Sequence, residues 1–177
     1  MTIRRKRIRH LTNKLLEEYG VYQPPVPIIE IAKKAGLEVR KQKIDSDISG
    51  FLFRKSGNAI IGINNHHPET RQRFTTAHEL GHYLLHSKLR DEVHIDRKFE
   101  VKFRDDISSH GTVIEERESN LFAAEILMPA HFIQNDINAN TEIDFDNPEF
   151  IDDLAKQYGV SSQAMTFRLV NLGIVSI

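Results

Sequence analysis

The side chains best suited to chemistry are two histidines spaced four residues apart, with a glutamate directly after the first. They form the pattern H-E-x-x-H, as His78, Glu79 and His82. On a helix both imidazoles lie on the same face and can reach one cation, and zinc accepts neutral imidazole nitrogens as ligands. Glu79 is rotated by about a quarter of a turn from His78. Its carboxylate is therefore expected beside the metal, where a general base takes a proton from zinc-bound water.

A catalytic zinc site usually has three protein ligands and a water, so a third ligand must come from elsewhere in the chain. His86 is excluded by geometry, because on a continuous helix it lies about 12 Å along the axis from His78. A later helix offers Glu116, which is expected to bind the metal, and Asn120, which is expected to orient a ligand from one turn further on. Glu118 stays open as the alternative third ligand. Two imidazoles and a carboxylate accept zinc or manganese.

The elements that must position these side chains indicate an α+β fold. Alternating apolar residues over 37–63 predict a small antiparallel three-stranded sheet. A long helix over 68–86 carries the H-E-x-x-H pattern, and a helix over 113–128 carries Glu116 and Asn120. The charged segment 91–106 alternates weakly and is predicted to be a strand or an extended flap.

The carboxyl end predicts two short helices, 150–158 and 162–172, around the turn Gly159-Val160-Ser161, with a helix-turn-helix look. From residue 141 onward there are six acidic residues against two basic ones, Lys156 and Arg168. A DNA-binding surface needs basic residues for the phosphates, so direct nucleic-acid binding is not expected. The pair is expected to brace the rest of the chain or to dock a partner protein.

Composition narrows the class of protein further. The chain has 177 residues, the size of one domain, and a net charge of -1, so it has no overall basic field. It has no cysteine, which excludes disulfides, thiolate zinc sites, iron–sulfur clusters and cysteine nucleophiles. No apolar run reaches the roughly 18 residues of a membrane span, and no secretory signal is evident. A cytoplasmic location is therefore expected.

Two blocks of sequence resemble the signature of the ImmA/IrrE family of zinc metallopeptidases. The first block is Arg71-Gln72-Arg73-Phe74-Thr75-Thr76-Ala77-His78-Glu79-Leu80-Gly81-His82. The second runs from Glu116 and Asn120 through Phe122-Ala123-Ala124 to Leu127-Met128-Pro129, and the two blocks occur in the order of the family. The resemblance covers about residues 25–135. Ser119 stands where the family often has alanine, which is a small-for-small change.

The resemblance implies a zinc endopeptidase with one Zn²⁺ per chain, bound by His78, His82 and Glu116, and with Glu79 activating water. Its implied substrate is a regulatory protein, expected to be a helix-turn-helix transcriptional repressor of mobile-element or stress-response genes. The predicted division is a zinc metallopeptidase domain with an amino-terminal helix over 1–137. An acidic linker and a helix-turn-helix-like extension packed on that domain follow over 138–177.

Two other functions and several secondary residues stay open at this point. The first alternative is a non-catalytic zinc-fold module that binds and sequesters a repressor or toxin; the second is a DNA-binding regulator. Hydrolysis also needs a group that stabilises the oxyanion. The candidates, which the sequence does not rank, are His94, Tyr83, His110 and Arg104. His66 and His67 are expected to lie in a loop.

Overall fold

The computed structural model describes residues 2–86, 92–97, 110–139 and 148–175. These residues form an α+β fold, as the sequence predicts. In chain order the elements are α1 (Arg5–Glu18), α2 (Ile28–Lys34), β1 (Leu37–Gln42), β2 (Ile48–Lys55), β3 (Asn58–Asn64), α3 (Glu69–Leu85), β4 (Glu92–Arg97), α4 (His110–Leu127), α5 (Ala130–Ala139), α6 (Pro148–Tyr158) and α7 (Ser162–Asn171). Across the described helices, none combines the length and apolar character needed to cross a membrane.

The sheet has four strands in the order β1-β3-β2-β4 and is mixed, so the prediction of a three-stranded antiparallel sheet is wrong in both respects. Strands β2 and β3 do form a hairpin, and its turn places Ser56 at φ 50 and Gly57 at φ 83. Two consecutive positive φ angles are typical of the tight turns that join antiparallel strands. Strand β1 does not pair with β2 next to it in sequence; it pairs with β3 in parallel, with Leu37 opposite Ala59.

The parallel pairing depends on the connection over residues 43–47, which carries the chain past the end of β3. The buried side chain of Asn64, the last residue of β3, holds this connection in place. Its Nδ2 donates to the carbonyl oxygens of Ile44, Asp45 and Ile48, at 3.2, 3.1 and 2.9 Å. A buried amide that satisfies several carbonyls fixes the path of a loop, because breaking the contacts would leave polar groups buried and unpaired.

Strand β4 brings a segment from beyond the long helix back to the sheet. It runs antiparallel to β2, with His94 opposite Leu52. Directly opposite residues share a face of the sheet, and Leu52 is buried in the core. His94 therefore lies on the inner face, towards the helices. The expected strand is confirmed for 92–97, and the remainder of the predicted segment lies outside the described residues.

Helices α3 and α4 pack closely at the position of Gly81. A Cβ added there would lie 3.1 Å from Cδ1 of Phe122 and 3.2 Å from the Cα of Ser119. Contacts this short are tighter than most real Cβ contacts, so a glycine in the middle of α3 favours the close approach of the two helix backbones. This close approach places His78 and His82 of α3 opposite Glu116 and Asn120 of α4.

Helix α7 is joined to α4 by a buried arginine. Arg168 donates to Glu125 through Nη1 at 3.1 Å and Nη2 at 2.8 Å, and to the carbonyl oxygen of Met128 at 2.9 Å. The predicted helices at the carboxyl end are present, and α7 begins after Ser161, whose side chain accepts from the backbone N–H of Ala164. The domain boundary after residue 137 stays a prediction.

Candidate metal centre

Three side chains from α3 and α4 bring potential metal ligands together. His78, His82 and Glu116 each offer one ligand atom, and these atoms all lie within 4.8 Å of one another. The two Nε2 atoms of the histidines are 3.1 Å apart, and they lie 3.4 Å and 3.2 Å from the carboxylate oxygens of Glu116. Ligands bound at 2.0–2.2 Å with tetrahedral angles lie about 3.4 Å apart. The group fits a divalent metal ion.

A hydrogen bond from α4 sets which nitrogen of His78 can bind a metal. Nδ1 of His78 donates to Oδ1 of Asn120 at 3.0 Å. The proton on Nδ1 leaves a lone pair on Nε2, the atom that lies near His82 and Glu116. The expected contact between Asn120 and the candidate ligand His78 is therefore present.

The charges of the group also suit a metal ligand set. Burial lowers the pKa of His82, which favours the neutral imidazole that a metal requires. Burial alone would raise the pKa of Glu116, but the adjacent imidazoles of His78, His82 and His94 outweigh burial and hold that pKa far below its usual range. Glu116 thus offers an anionic oxygen beside neutral imidazole nitrogens.

Glu79 lies next to the ligands with one oxygen in use and one free. Its side chain is 0% exposed. Oε2 accepts from Nδ1 of His94 at 3.3 Å, whereas Oε1 is buried and has no hydrogen-bond partner among the described residues. Leaving a buried carboxylate oxygen unpaired is costly in a purely structural site. A free acceptor beside a metal site is what a general base needs.

His94 contacts both carboxylates of the site from strand β4. Its Nε2 donates to Oε1 of Glu116 at 2.7 Å, and its ring centroid is 3.9 Å from that of His82. Burial alone would lower the pKa of His94, but hydrogen bonds to Glu116 and Glu79 raise it to about 10. The sequence named His94 only as one of four unranked candidates. Its position depends on the register of β4 against β2, which a local pattern does not reveal.

Residues 32–170 match the family model described as the IrrE N-terminal-like domain, Peptidase_M78. The chain belongs to this family. The resemblance to the ImmA/IrrE family is therefore confirmed, and membership places this IrrE N-terminal-like domain in a peptidase family. No curated protein matches the chain closely enough to count as a relative.

The fold of this IrrE N-terminal-like domain also occurs in a solved structure, a Mycobacterium tuberculosis transcriptional regulator. The TM-score is 0.63 at 13% sequence identity, and the match covers 93% of this chain and 46% of the regulator. At this identity the likeness shows the fold alone. The chain spans less than half the length of that regulator.

The alternative ligands lie apart from the metal group in this IrrE N-terminal-like domain. The carboxylate of Glu118 is buried and accepts from Arg4, through Nε at 2.9 and 3.1 Å and through Nη2. His86 ends α3, with Nε2 3.8 Å from Oε2 of Glu118. Burial, with a smaller electrostatic contribution from His82, lowers the pKa of His86 to about 4. The structure thus brings Glu116, and not Glu118 or His86, to the histidine pair.

The remaining candidates for oxyanion stabilisation differ in their positions relative to the metal group. Tyr83 is half-buried, and the guanidinium of Arg54 lies 5.3 Å from its ring centroid. Arg104 and the side chain of His110 lie outside the described residues. His66 and His67 lie in the turn after β3, as expected. Among the described candidates, His94 contacts the site directly.

Proposed function

We propose that this IrrE N-terminal-like domain is a zinc-dependent endopeptidase that hydrolyses a peptide bond in a regulatory protein. We further propose that the substrate is a helix-turn-helix transcriptional repressor and that the two proteins meet in the cytoplasm. Family membership supports the peptidase class, and the chemistry of the ligand set supports the metal. The repressor comes from the family resemblance, since such proteins are associated with turning on mobile-element or stress-response genes.

One observation carries the proposal. Three ligand atoms of the types that zinc prefers, from His78, His82 and Glu116, lie within 4.8 Å of one another. Directly beside them, Glu79 keeps a buried oxygen with no hydrogen-bond partner among the described residues. A metal site that served folding alone would have no need of an adjacent free base.

The chemistry follows from the roles that the residues can take. A divalent metal held by His78, His82 and Glu116 would supply Lewis acidity that polarises the substrate carbonyl and makes water easier to deprotonate. Glu79 would accept a proton from the attacking water as the water oxygen bonds to the carbonyl carbon. It would then pass that proton to the amide nitrogen as the C–N bond breaks. His94, hydrogen-bonded to Glu79 and Glu116, would hold both carboxylates in place.

The test begins with metal content, measured by mass spectrometry on the purified wild type, His82→Ala, Glu116→Ala and Glu79→Gln. We expect about one zinc per chain in the wild type and in Glu79→Gln, and loss of zinc in the other two variants. Manganese in place of zinc would change the identity of the proposed metal but not the proposed roles of the residues. Zinc that is kept in Glu116→Ala would contradict the ligand assignment.

Hydrolysis is tested with purified helix-turn-helix repressors of the source genome, followed by intact-mass measurement. The wild type is expected to cut one repressor at a single bond, and Glu79→Gln is expected to leave it intact. Full cleavage by Glu79→Gln would contradict the role of the base. A stable, uncut complex with the zinc-loaded wild type would instead support the non-catalytic module that sequesters a repressor.

A further inference from the structure

A second concave surface adjoins the metal centre and shares walls with it. This cleft lies between α1, α3, α4 and α7 and has a volume of about 600 Å³. Asn120 and Phe74 line it. Asn120 is hydrogen-bonded to the proposed ligand His78, and the Phe74 ring stacks on the His78 ring at 6.3 Å between centroids. The cleft therefore begins one helical turn from a proposed metal ligand.

The floor and one wall of the cleft are apolar. They are formed by Phe74, Leu121, Ala124, Met128 and Ala164, together with Phe167 of α7. Phe167 is 55% exposed, although burying an aromatic ring is strongly favourable. An exposed phenylalanine in a concave, largely apolar surface of this volume is typical of a ligand-binding site.

The charged side chains that line the cleft are mostly positive. Within the part of the chain that the structure describes, four arginines line it, Arg5, Arg9, Arg71 and Arg168, against one carboxylate, that of Glu125. Glu125 accepts from Arg168 at 2.8 and 3.1 Å and from Arg9 at 3.2 Å, so its charge is already matched. The cleft thus has a positive surplus in a chain whose net charge is -1.

Arg71 offers a donor that the described residues do not satisfy. Its Nη2 donates to Oγ of Ser49 at 2.6 Å, but its Nε is buried without a hydrogen-bond partner among the described residues. The Arg71 side chain as a whole is half-buried and lines the cleft, and a carboxylate is the partner that a guanidinium binds most strongly. Apolar walls and an unsatisfied arginine together select a ligand with an apolar group and a carboxylate close to each other.

We propose that this cleft binds the polypeptide substrate beside the bond to be cut, and that it selects a large apolar side chain followed by an acidic residue. The inference rests on the proposed peptidase function, because a chain that crosses the metal centre must leave it along a neighbouring surface. The cleft is a neighbouring surface of this kind, because Phe74 and Asn120 line it and also contact His78. Phe167 contacts the apolar side chain, and Arg71 pairs with the carboxylate.

Binding is measured by fluorescence anisotropy on the zinc-loaded full chain carrying Glu79→Gln, so that peptides bind without being cut. The probes are three fluorescein-labelled heptapeptides of alanine with Phe-Glu, Ala-Glu or Phe-Lys at the centre. The Phe-Glu peptide is expected to bind at least about tenfold more tightly than the other two. Against Ala-Glu this is the change expected for burying one aromatic side chain, and against Phe-Lys it is the change expected for one charge-assisted hydrogen bond. Adding Phe167→Ala should abolish the preference for Phe-Glu over Ala-Glu. Adding Arg71→Gln should abolish the preference over Phe-Lys.

Matched controls come from exposed residues away from the cleft. Tyr22 is an aromatic side chain exposed to 74%, and Arg40 is an exposed arginine paired with Glu38. Tyr22→Ala and Arg40→Gln should leave all three affinities unchanged. Equal binding of the three peptides, no binding by any of them, or retained preferences in both cleft variants would overturn the proposal. Displacement of the Phe-Glu peptide by free phenylacetate at equal affinity would also overturn it, since the cleft would then be a site for small carboxylates.

The experiments distinguish a failure of the cleft proposal from a failure of the proposed peptidase function. If the peptides show the expected preferences but no repressor is cut, the peptidase proposal fails and the cleft stands. If the wild type cuts a repressor and Phe167→Ala cuts it with unchanged KM, the cleft proposal fails and the peptidase stands.

Discussion

His94 of β4 donates from Nε2 to Oε1 of Glu116 on α4, at a distance of 2.7 Å. A strand at the edge of the sheet and a helix on the other side of the site thus hold one carboxylate between them. The other nitrogen of His94 contacts Glu79, the proposed base, at 3.3 Å. One residue of the sheet therefore links the proposed third ligand to the proposed base, and the site depends on the register of β4 as much as on α3.

Replacing His94 with alanine should impair hydrolysis without removing the metal. Its pKa is raised to about 10 by hydrogen bonds to Glu116 and Glu79 that outweigh burial, so the ring is cationic at neutral pH. A cationic ring repels a divalent ion at Glu116, so His94→Ala should still bind about one zinc per chain. Loss of a polar group that orders the site should lower kcat about 100-fold. Metal content and kcat are measured together.

The control for this variant is His66→Ala, which removes an exposed histidine from the turn after β3. It should change neither zinc content nor kcat. If zinc disappears from His94→Ala, His94 is itself a ligand and the three-ligand site is incorrect.

Replacing Asn120 with alanine should weaken zinc binding although Asn120 is not a proposed ligand. Its Oδ1 accepts from Nδ1 of His78 at 3.0 Å and so keeps the lone pair on Nε2. Loss of such an orienting partner typically lowers metal affinity by about 10–100-fold. Competition with a chromophoric chelator measures the Kd, with Asn138→Ala on α5 as the matched control. An unchanged Kd in Asn120→Ala would show that the hydrogen bond does not orient the ligand.

Much of this site could be predicted because its information is local. The histidines of H-E-x-x-H are four residues apart on one helix, and Glu116 and Asn120 are four residues apart on another, so each pair shares a face whatever the tertiary structure. The sequence could also exclude His86 by distance along the helix. What brings the two pairs together is the close approach of the helices at Gly81, and only the structure shows it.

The order of the strands and the position of His94 could not be predicted, because both depend on contacts between residues that are distant in the sequence. Alternating apolar and polar residues predict a strand, but they do not indicate which other strand it pairs with. The parallel pairing of β1 with β3 depends on a loop held by the buried amide of Asn64, a contact between distant residues. The register that puts His94 opposite Leu52 includes an irregularity between Ile48 and Gly50, which no period-two pattern contains.

Acidification should release the metal, because protons and metal compete for the same imidazole nitrogens. Burial lowers the pKa of His82, and a depressed pKa means that the neutral, ligating form persists below the ordinary value of about 6.5. Zinc should therefore stay bound at pH 7 and be lost only once the pH falls clearly below about 6.5. Zinc content is measured after dialysis at each pH. Full occupancy down to about pH 4 would contradict a site that contains two histidine ligands.

Breaking the Arg168–Glu125 pair should destabilise the whole chain and not only α7. Both side chains are 4% exposed, and among the described residues Arg168→Met leaves the Glu125 carboxylate with the partly exposed Arg9 as its remaining partner. Removing one partner of a buried pair typically lowers the free energy of unfolding by about 3–5 kcal/mol. Urea unfolding followed by circular dichroism measures the loss. Lys156→Met, which breaks an exposed pair with Asp153, is the control and should cause no measurable change.

The Arg168–Glu125 pair also predicts how the stability of the fold depends on pH. Burial alone would raise the pKa of Glu125, but its hydrogen bonds with Arg168 and Arg9 lower it below the usual 4.5. A carboxyl group with a depressed folded-state pKa contributes stability that is fully present above the unfolded pKa. That contribution is lost as the pH falls from 4.5 through the lower folded value. Unfolding curves of the wild type and Arg168→Met should therefore converge below pH 4.5 and differ most above it. A constant difference between them across this range would show that the ion pair is not the source of the stability.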